Sequence, residues 1–594
     1  MSEEQEPHEK AQNFWSTVST LAREFKYERL PMIFGFVGVM VGTCLTIAGP
    51  YVLGLATDVV FDGFTSDAGI DFGLLAKLLL IVVVLHLVAE SFTFAGGWLF
   101  NEAIQRVLYA LRERVENKVH RLPLKFLDSQ KRGDLLSKLN NDLDNLNTAL
   151  NQNMETIVTS VITVLGVLAV MFWISWELTL VALTTIPLTA VVIGILGVRS
   201  QAQFRMQWSQ TGKLNAHIEE SISGHELLTI YNATPQTTET FARGNTDVFH
   251  ASRKAQLLSG SMMPAMMFVS NLVFVGIAVV GAVRVASGAM TLGSVQAFIQ
   301  YSRQFSQPLA QLGGVASQLQ SAAASAERVY ELLNQPDEVA DTGGHPDFAL
   351  THGKVEFRSV DFSYDPDQPF ISDLNLTVEG GQTVAIVGHT GSGKTTLVNL
   401  LLRFYDVTGG AIYLDGVDIR DIDRHQLRSP IGMVLQDTWL FSGTIYDNIA
   451  YGRADATRDD VMAAAEAAYV DRFVAHLPDG YDTVIDETGG NVSAGERQLI
   501  TIARAFVSNP EILVLDEATS SVDTRTEVLV QEAMNRLRSG RTSFVIAHRL
   551  STIRNADLIV VIEAGRIVES GTHEELLSRG GKYADLHAAS VGEA

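Results

Sequence analysis

Apolar positions are unevenly spread along the 594-residue chain. Up to about residue 330 they form blocks long enough to cross a bilayer as helices, which takes ~20 residues. Beyond that they alternate or recur in short runs, as in a soluble α/β domain. Six spans are predicted, at roughly 30–57, 73–100, 155–177, 179–200, 258–284 and 291–312. Ahead of them Phe14, Trp15, Val18, Leu21, Ala22 and Phe25 recur at helical spacing, interrupted by Arg23 and Lys26, as in an amphipathic helix lying at the membrane interface. The connection Asp58 to Asp71 carries aspartates and no Lys or Arg, whereas the second and fourth connections hold Arg106, Arg112, Arg114, Lys118, Arg205, Lys213 and Arg253 among others. Positive charge marks the cytoplasmic side, which places the long loops and both termini there. Apolar periodicity continues through both long loops, so the spans are predicted to extend as helices well beyond the membrane. Its interruptions at Phe126–Leu136 and Ile218–Gly224 are expected at tips that touch the soluble domain.

Three features inside the spans carry polar or soft chemistry. Gln296, Gln300, Gln304, Gln307, Gln311 and Gln318 fall on one face of the sixth helix. Lipid would not tolerate that face, so it lines either a wet cavity or a helix contact. His86 and Glu90 form an i,i+4 pair in the second span, read either as a functional group or as a self-satisfied pair against a neighbouring helix. Met262, Met263, Met266 and Met267 supply adaptable apolar surface or plain packing at the start of the fifth.

A polar linker rich in Pro and Gly, Gln335 to Pro346, separates the halves. The expected division is an N-terminal tail and interfacial helix over roughly 1–28, a membrane domain over roughly 29–333, a linker over roughly 334–352 and a soluble domain over roughly 353–594. After the linker, Val355–Phe362 alternates as a strand, closed by Tyr364. Then Gly388-His389-Thr390-Gly391-Ser392-Gly393-Lys394-Thr395 reads G-x-x-x-x-G-K-T between the apolar run Thr383–Val387 and a helical pattern from Thr396. That is the strand–loop–helix setting of a phosphate-binding loop. Gly388, Thr390, Gly391, Gly393, Lys394, Thr395 and Thr396 are therefore candidate ATP contacts: backbone N–H groups curl round the phosphates, Lys394 reaches the β/γ-phosphates and Thr395 ligates Mg²⁺. Further on, Ile512–Leu515 forms an apolar strand ending in Asp516 and Glu517. Asp516 suits the Mg²⁺ shell and Glu517 the attacking water. The net charge of −23 argues against a nucleic-acid partner. The single cysteine, Cys44, excludes an internal disulfide framework. The acidic stretch Met1–Pro7 is unlike a secretory leader.

Between the two nucleotide motifs stands Asn491-Val492-Ser493-Ala494-Gly495-Glu496-Arg497-Gln498. It resembles the signature sequence of ATP-binding cassette (ABC) transporters, and the six spans with long loops resemble their exporter-type fold. Asp415–Gln436 and Phe441–Ile449 look like the bacterial multidrug and lipid-exporter branch. The resemblance implies an all-α six-helix membrane domain with long cytoplasmic helical extensions, fused to an α/β P-loop cassette, in a bacterial inner membrane. It implies that Tyr364 stacks on adenine, Gln436 contacts Mg²⁺ and senses the γ-phosphate, and Ser493 and Gly495 cap ATP held by the opposite subunit. Asp523 matches the D-loop and His548 the switch histidine near the γ-phosphate. The signature departs from the family pattern at Val492 for Leu, Ala494 for Gly and Glu496 for Gln, with the phosphate-facing Ser493 and Gly495 kept. The expected function is ATP-driven export or flipping of hydrophobic or amphipathic molecules or lipids, by a dimer with a like or unlike second half-transporter. Import on the same fold, or an ATP-gated channel, are the alternatives.

Overall fold

The computed structural model describes residues 13–67, 69–130, 132–341, 348–436, 438–485, 491–516, 524–547 and 550–592. The chain divides into two compact units, Met1–His120 with Lys131–Pro336, and Arg121–Gln130 with Asp337–Ala594.

In chain order the helices of the amino-terminal half are α1 (Phe14–Glu24), α2 (Arg29–Thr65), α3 (Phe72–Val119), α4 (Leu124–Ser129), α5 (Arg132–Leu139), α6 (Asn141–Ile174), α7 (Trp176–Leu183), α8 (Thr185–Val192), α9 (Val198–Ser223), α10 (His225–Ile230), α11 (Thr234–Gly260), α12 (Met262–Ala286) and α13 (Leu292–Leu333). Among the described residues five helices are long and apolar enough to cross a membrane: Arg29–Thr65, Phe72–Val119, Gly133–Ile174, Trp176–Ser223 and Thr234–Ala286. At 42 residues α13 is also long enough, but it carries the glutamines. Small residues permit close contacts between helices: a Cβ on Gly96 of α3 would lie 2.7 Å from the Gly35 carbonyl of α2. Only glycine lets the two backbones approach that far. Ile47, Met171, Leu178, Ile277, Phe298 and Tyr301 fill the centre of this unit. The Tyr301 hydroxyl donates to the Ile47 carbonyl at 2.7 Å, so the buried phenol keeps a partner.

The helices expose two unlike surfaces. On α3, Leu80, Val83, Val84, Leu87 and Phe94 are exposed, an apolar face suited to lipid. On α13 the buried side is Ala297, Phe298, Tyr301 and Phe305, and the exposed side bears Gln300, Arg303, Gln307, Gln311 and Gln318. Gln296 accepts from the Thr57 hydroxyl, and the buried Gln304 Oε1 has no partner among the described residues. His86 bonds through Nδ1 to the Val82 carbonyl at 2.9 Å, not to Glu90. Glu90 lies instead within electrostatic reach of Glu155 on α6.

The second unit holds β1 (Val355–Phe362), β2 (Ile371–Val378), β3 (Thr383–Val387), α14 (Lys394–Leu401), β4 (Gly409–Leu414), β5 (Val417–Asp418), α15 (Arg424–Arg428), β6 (Ile431–Val434), β7 (Gly443–Thr444), α16 (Ile445–Ala450), α17 (Arg458–Ala467), α18 (Val470–Val474), β8 (Val484–Ile485), α19 (Ala494–Ser508), β9 (Ile512–Asp516), α20 (Thr524–Arg538), β10 (Thr542–Ile546), β11 (Leu558–Glu563) and β12 (Arg566–Gly571). The main sheet has the order β12-β11-β3-β10-β9-β6, parallel except for β12. A smaller antiparallel sheet has the order β2-β1-β4-β5. Strand alternation splits the core in two. Ala385, Val387, Leu513, Leu515 and Val545 pack with α16 to α20. Val384, Ile386, Val514, Phe544 and Ile546 pack with α14 and the smaller sheet.

Residues 121–130 belong to this second unit although α3 and α5 flank them in sequence. Leu124 of α4 packs on the core shared by α14 and the smaller sheet. Asp128 accepts a hydrogen bond from the Tyr405 hydroxyl, and Glu338 N donates to the Arg121 carbonyl at 2.8 Å. Burial, followed by the Asp128 carboxylate, pushes the Tyr405 phenol up from its ordinary pKa. The other long loop ends differently: around α10, Ile222, Leu227, Ile230 and Tyr231 are all exposed.

Candidate nucleotide-binding site

Val384–Val387 of β3 are buried between β11 and β10, so the carboxyl end of the central strand is fixed where it opens into loop 388–393. Two glycines of that loop have no substitute. A Cβ on Gly388 would lie 2.3 Å from the Ile562 carbonyl oxygen, and Gly393 caps α14 with φ at +110°. No side chain caps α14. Its first N–H groups therefore open into the loop with the helix's partial positive charge behind them.

Lys394 is buried, and its Nζ donates to the carbonyls of Gly388 at 2.7 Å and His389 at 3.1 Å. Burial draws the ammonium below its ordinary pKa, opposed by the Asp516 carboxylate. The Ser392 hydroxyl oxygen is buried and has no partner among the described residues. An uncapped helix start, an ammonium held on loop carbonyls and an unsatisfied hydroxyl together fit a polyphosphate, which would accept from all three. Thr390, Gly391 and Thr395 are exposed around the loop, while Thr396 is buried and shares a 3.0 Å hydrogen bond with the Tyr364 hydroxyl. That bond sets Tyr364 beside the phosphate loop. Its ring meets Phe362, Tyr405 and Phe370 edge-on at centroid distances of 4.8, 5.1 and 5.5 Å, and the residue keeps an exposed side.

Parallel register brings the acidic end of β9 to the same edge. Ile386 pairs with Ile546, and Ile546 with Asp516. Val434 pairs with Leu515, and Gln436, two residues beyond β6, is exposed at that end. Ligands of open parallel sheets bind beyond the carboxyl ends of the strands. The Thr395 hydroxyl and Asp516 carboxylate are hard oxygen donors of the kind Mg²⁺ takes. Glu517, Asp523 and His548 lie outside the described residues.

The signature stretch is built on the other side of the sheet. Ser493 caps α19: its hydroxyl oxygen accepts from Glu496 N at 3.3 Å, and Glu496 Oε2 accepts from Ser493 N at 2.7 Å. Glu496, a departure from the family pattern, thus completes a capping box. Val492 and Gly495 are buried, while Ser493 is exposed. Leu499, Ile500 and Ile502 hold α19 on one face of the sheet, and Leu397, Leu400 and Leu401 hold α14 on the other. The sheet therefore stands between the phosphate loop's helix and the signature helix. Two residues escaped the sequence reading. Ser392 lies inside the loop motif and was legible there, whereas Tyr405 becomes informative only through its contact with Asp128.

Comparison with known proteins matches residues 32–309 to the ABC transporter transmembrane region and residues 371–520 to the ABC transporter family. A fatty acid ABC transporter ATP-binding/permease protein of Mycobacterium bovis is 46% identical over 618 residues, covering 98% of each chain. An ATP-dependent lipid A-core flippase of Syntrophus aciditrophicus is 36% identical over 552 residues, covering 93% of this chain and 91% of that protein. The solved structure of a bacterial Atm1-family ABC exporter with ATP bound superposes with a TM-score of 0.73 at 30% identity, covering 95% of this chain and 98% of that one.

Proposed function

The chain belongs to the ABC transporters and is an ATP-hydrolysing membrane transporter, and from that premise we propose that it is one half of a dimer that exports or flips lipid-like amphiphiles across a bacterial cytoplasmic membrane. The observation that carries the dimer is that the helix after the phosphate loop, α14, and the signature helix, α19, pack on opposite faces of one sheet. A single chain presents the loop that grips ATP and the signature that covers it in different directions, so each needs its counterpart from a second chain. The exposed apolar tip Ile222, Leu227, Ile230 and Tyr231 supports the same reading, since an uncovered patch of this kind marks a protein contact. The names of the relatives support a lipid as cargo.

In this reading Gly388, Thr390, Gly391, Gly393 and Thr396 shape the cradle, Lys394 leaves its loop carbonyls for the β/γ-phosphates, and Tyr364 stacks on adenine. Thr395, Asp516 and Gln436 hold Mg²⁺, which when bound neutralises charge on the phosphates. Glu517 orients and deprotonates the attacking water, and His548 donates to the γ-phosphoryl oxygens as charge develops there. Ser493 and Gly495 donate to the γ-phosphate of the partner's ATP, and Asp523 lies at the same interface. Both termini are cytoplasmic. Access to the transmembrane chamber is the two-state element that ATP biases. The test is ATP turnover and movement of a fluorescent lipid by the chain purified alone in vesicles, beside Glu517→Gln. Turnover and lipid movement that the variant loses are expected. Undiminished movement in the variant would remove Glu517 from the mechanism. A monomeric, inactive chain would point to an unlike partner as the other half.

A further inference from the structure

Three arginines lie on α12 and α13: Arg284, Arg303 and Arg328. Arg284 pairs with Glu177 at 2.8 Å, and Arg328 holds Asp142 with two nitrogens, one at 2.9 Å. Arg303 differs. Among the described residues its guanidinium faces the Phe274 ring of α12, 5.7 Å from its centre, and no carboxylate. It stands eleven residues inside α13, roughly 16 Å along the helix at 1.5 Å per residue, near the middle of a hydrocarbon layer ~30 Å thick. An unpaired arginine at that depth costs about 3 kcal/mol or more, so such groups face a wet cavity and await a partner. Its neighbours fit that setting. Arg303 lies three residues after Gln300 and four before Gln307 on the exposed amide face of α13.

One turn further toward the start of α13 the chemistry reverses. Ile299, Val295 and Leu292 of α13 face Ala278, Ala282 and Val285 of α12 across a groove of about 330 Å³ lined only by apolar side chains. Ile299 is four residues before Arg303, and Ala278 four after Phe274. The groove thus runs out at the turn where the guanidinium and the aromatic ring stand. Its size falls at the lower end of ordinary ligand sites. An apolar slot ending in one unpaired cation complements one kind of molecule.

We propose that Arg303 binds the head of the transported molecule, and that the cargo is an amphiphile with a negatively charged head, a carboxylate or a phosphate, whose tail lies in the groove between α12 and α13. The inference rests on the transporter reading above and narrows its cargo to anions. A guanidinium forms two parallel hydrogen bonds to either kind of head, which a neutral alcohol of the same tail length cannot replace.

The test uses the full chain in phosphatidylcholine nanodiscs. Hexadecanoate and hexadecanol, each with a photoreactive group in the tail, are cross-linked to it, and the α12–α13 segment is mapped by mass spectrometry. The acid is expected to label this segment about tenfold more than the alcohol. Arg303→Gln should bring the two probes level, and Arg303→Lys should keep most of the difference. Unlabelled hexadecyl phosphate and hexadecanoate, as competitors, separate the two kinds of head. Equal labelling by both probes in the native chain, a preference that survives Arg303→Gln, or no labelling of the segment overturns the proposal. Equal labelling combined with ATP-driven movement of both probes sinks this inference alone. Arginine-dependent labelling without ATP-driven movement supports it and sinks the export reading instead.

Discussion

The helix after the phosphate loop, α14, starts from Gly393 in left-handed backbone with no side-chain cap, whereas α19 starts from Ser493 locked to Glu496 by two reciprocal hydrogen bonds. Both starts are assigned to phosphate, but they are prepared differently. The first leaves its N–H groups, the Ser392 hydroxyl and the Lys394 ammonium to be completed by a ligand. The second is already satisfied as a piece of structure and offers only what is left over. Ser493 Oγ accepts from Glu496 N, so its proton remains to be donated outward. In the proposed reading the first start grips the nucleotide and the second covers it from another chain.

Lys394→Ala should break the comparison most strongly. It removes charge-assisted bonds to two phosphates, about 3 kcal/mol together, so ATP affinity should fall roughly 100-fold in a nucleotide-binding titration. Unchanged affinity would mean that the uncapped start is not the gripping site. Ser493→Asp comes next. Aspartate caps as well as serine, so thermal stability should hold, but its charge meets the partner's phosphate and ATPase should fall at least about tenfold. If Ser493→Asp turned over ATP normally, the cover role would be lost. Ser493→Ala removes cap and donor together and should lower stability by about 1 kcal/mol, read in a denaturant melt, as well as turnover. The smallest effect is expected of Glu496→Gln. Either residue closes a capping box, so stability and turnover should stay within about twofold. A large loss there would give Glu496 a task beyond holding the helix start.

These contrasts were only partly legible in the sequence. The spacing of Gly388, Gly393 and Lys394 and the apolar run before Asp516 announced a nucleotide fold, because local geometry dictates both motifs. Sheet order did not show: β3 lies beside β11 and β10, elements more than 150 residues later, so the opposite faces of α14 and α19 emerge only from the assembled sheet. Glu496 read as a departure from a pattern until its bond to Ser493 N supplied a local reason. The glutamine stripe masks Arg303 in the sequence, although its spacing from Gln300 and Gln307 puts it on that same face. Broken periodicity marks the tips of the long loops, but nothing in the periodicity distinguishes Leu124, half-buried against the core of the second unit, from the exposed Leu227.

The seat of α4 has a consequence for biosynthesis. Asp128 and Tyr405 are 277 positions apart. At ~5–20 residues per second, a ribosome takes on the order of 15–55 s to travel between them. Throughout that interval Leu124 has no core to enter, while the helices that flank it are already inserting. Maturation of the second unit therefore closes on a peptide made long before the rest of it. A fragment beginning at Asp337 would lack that peptide and leave an apolar socket open to water. Quality-control proteases and chaperones would meet such a fragment as unfinished, and a defect in α4 would surface as poor yield before it surfaced as slow transport.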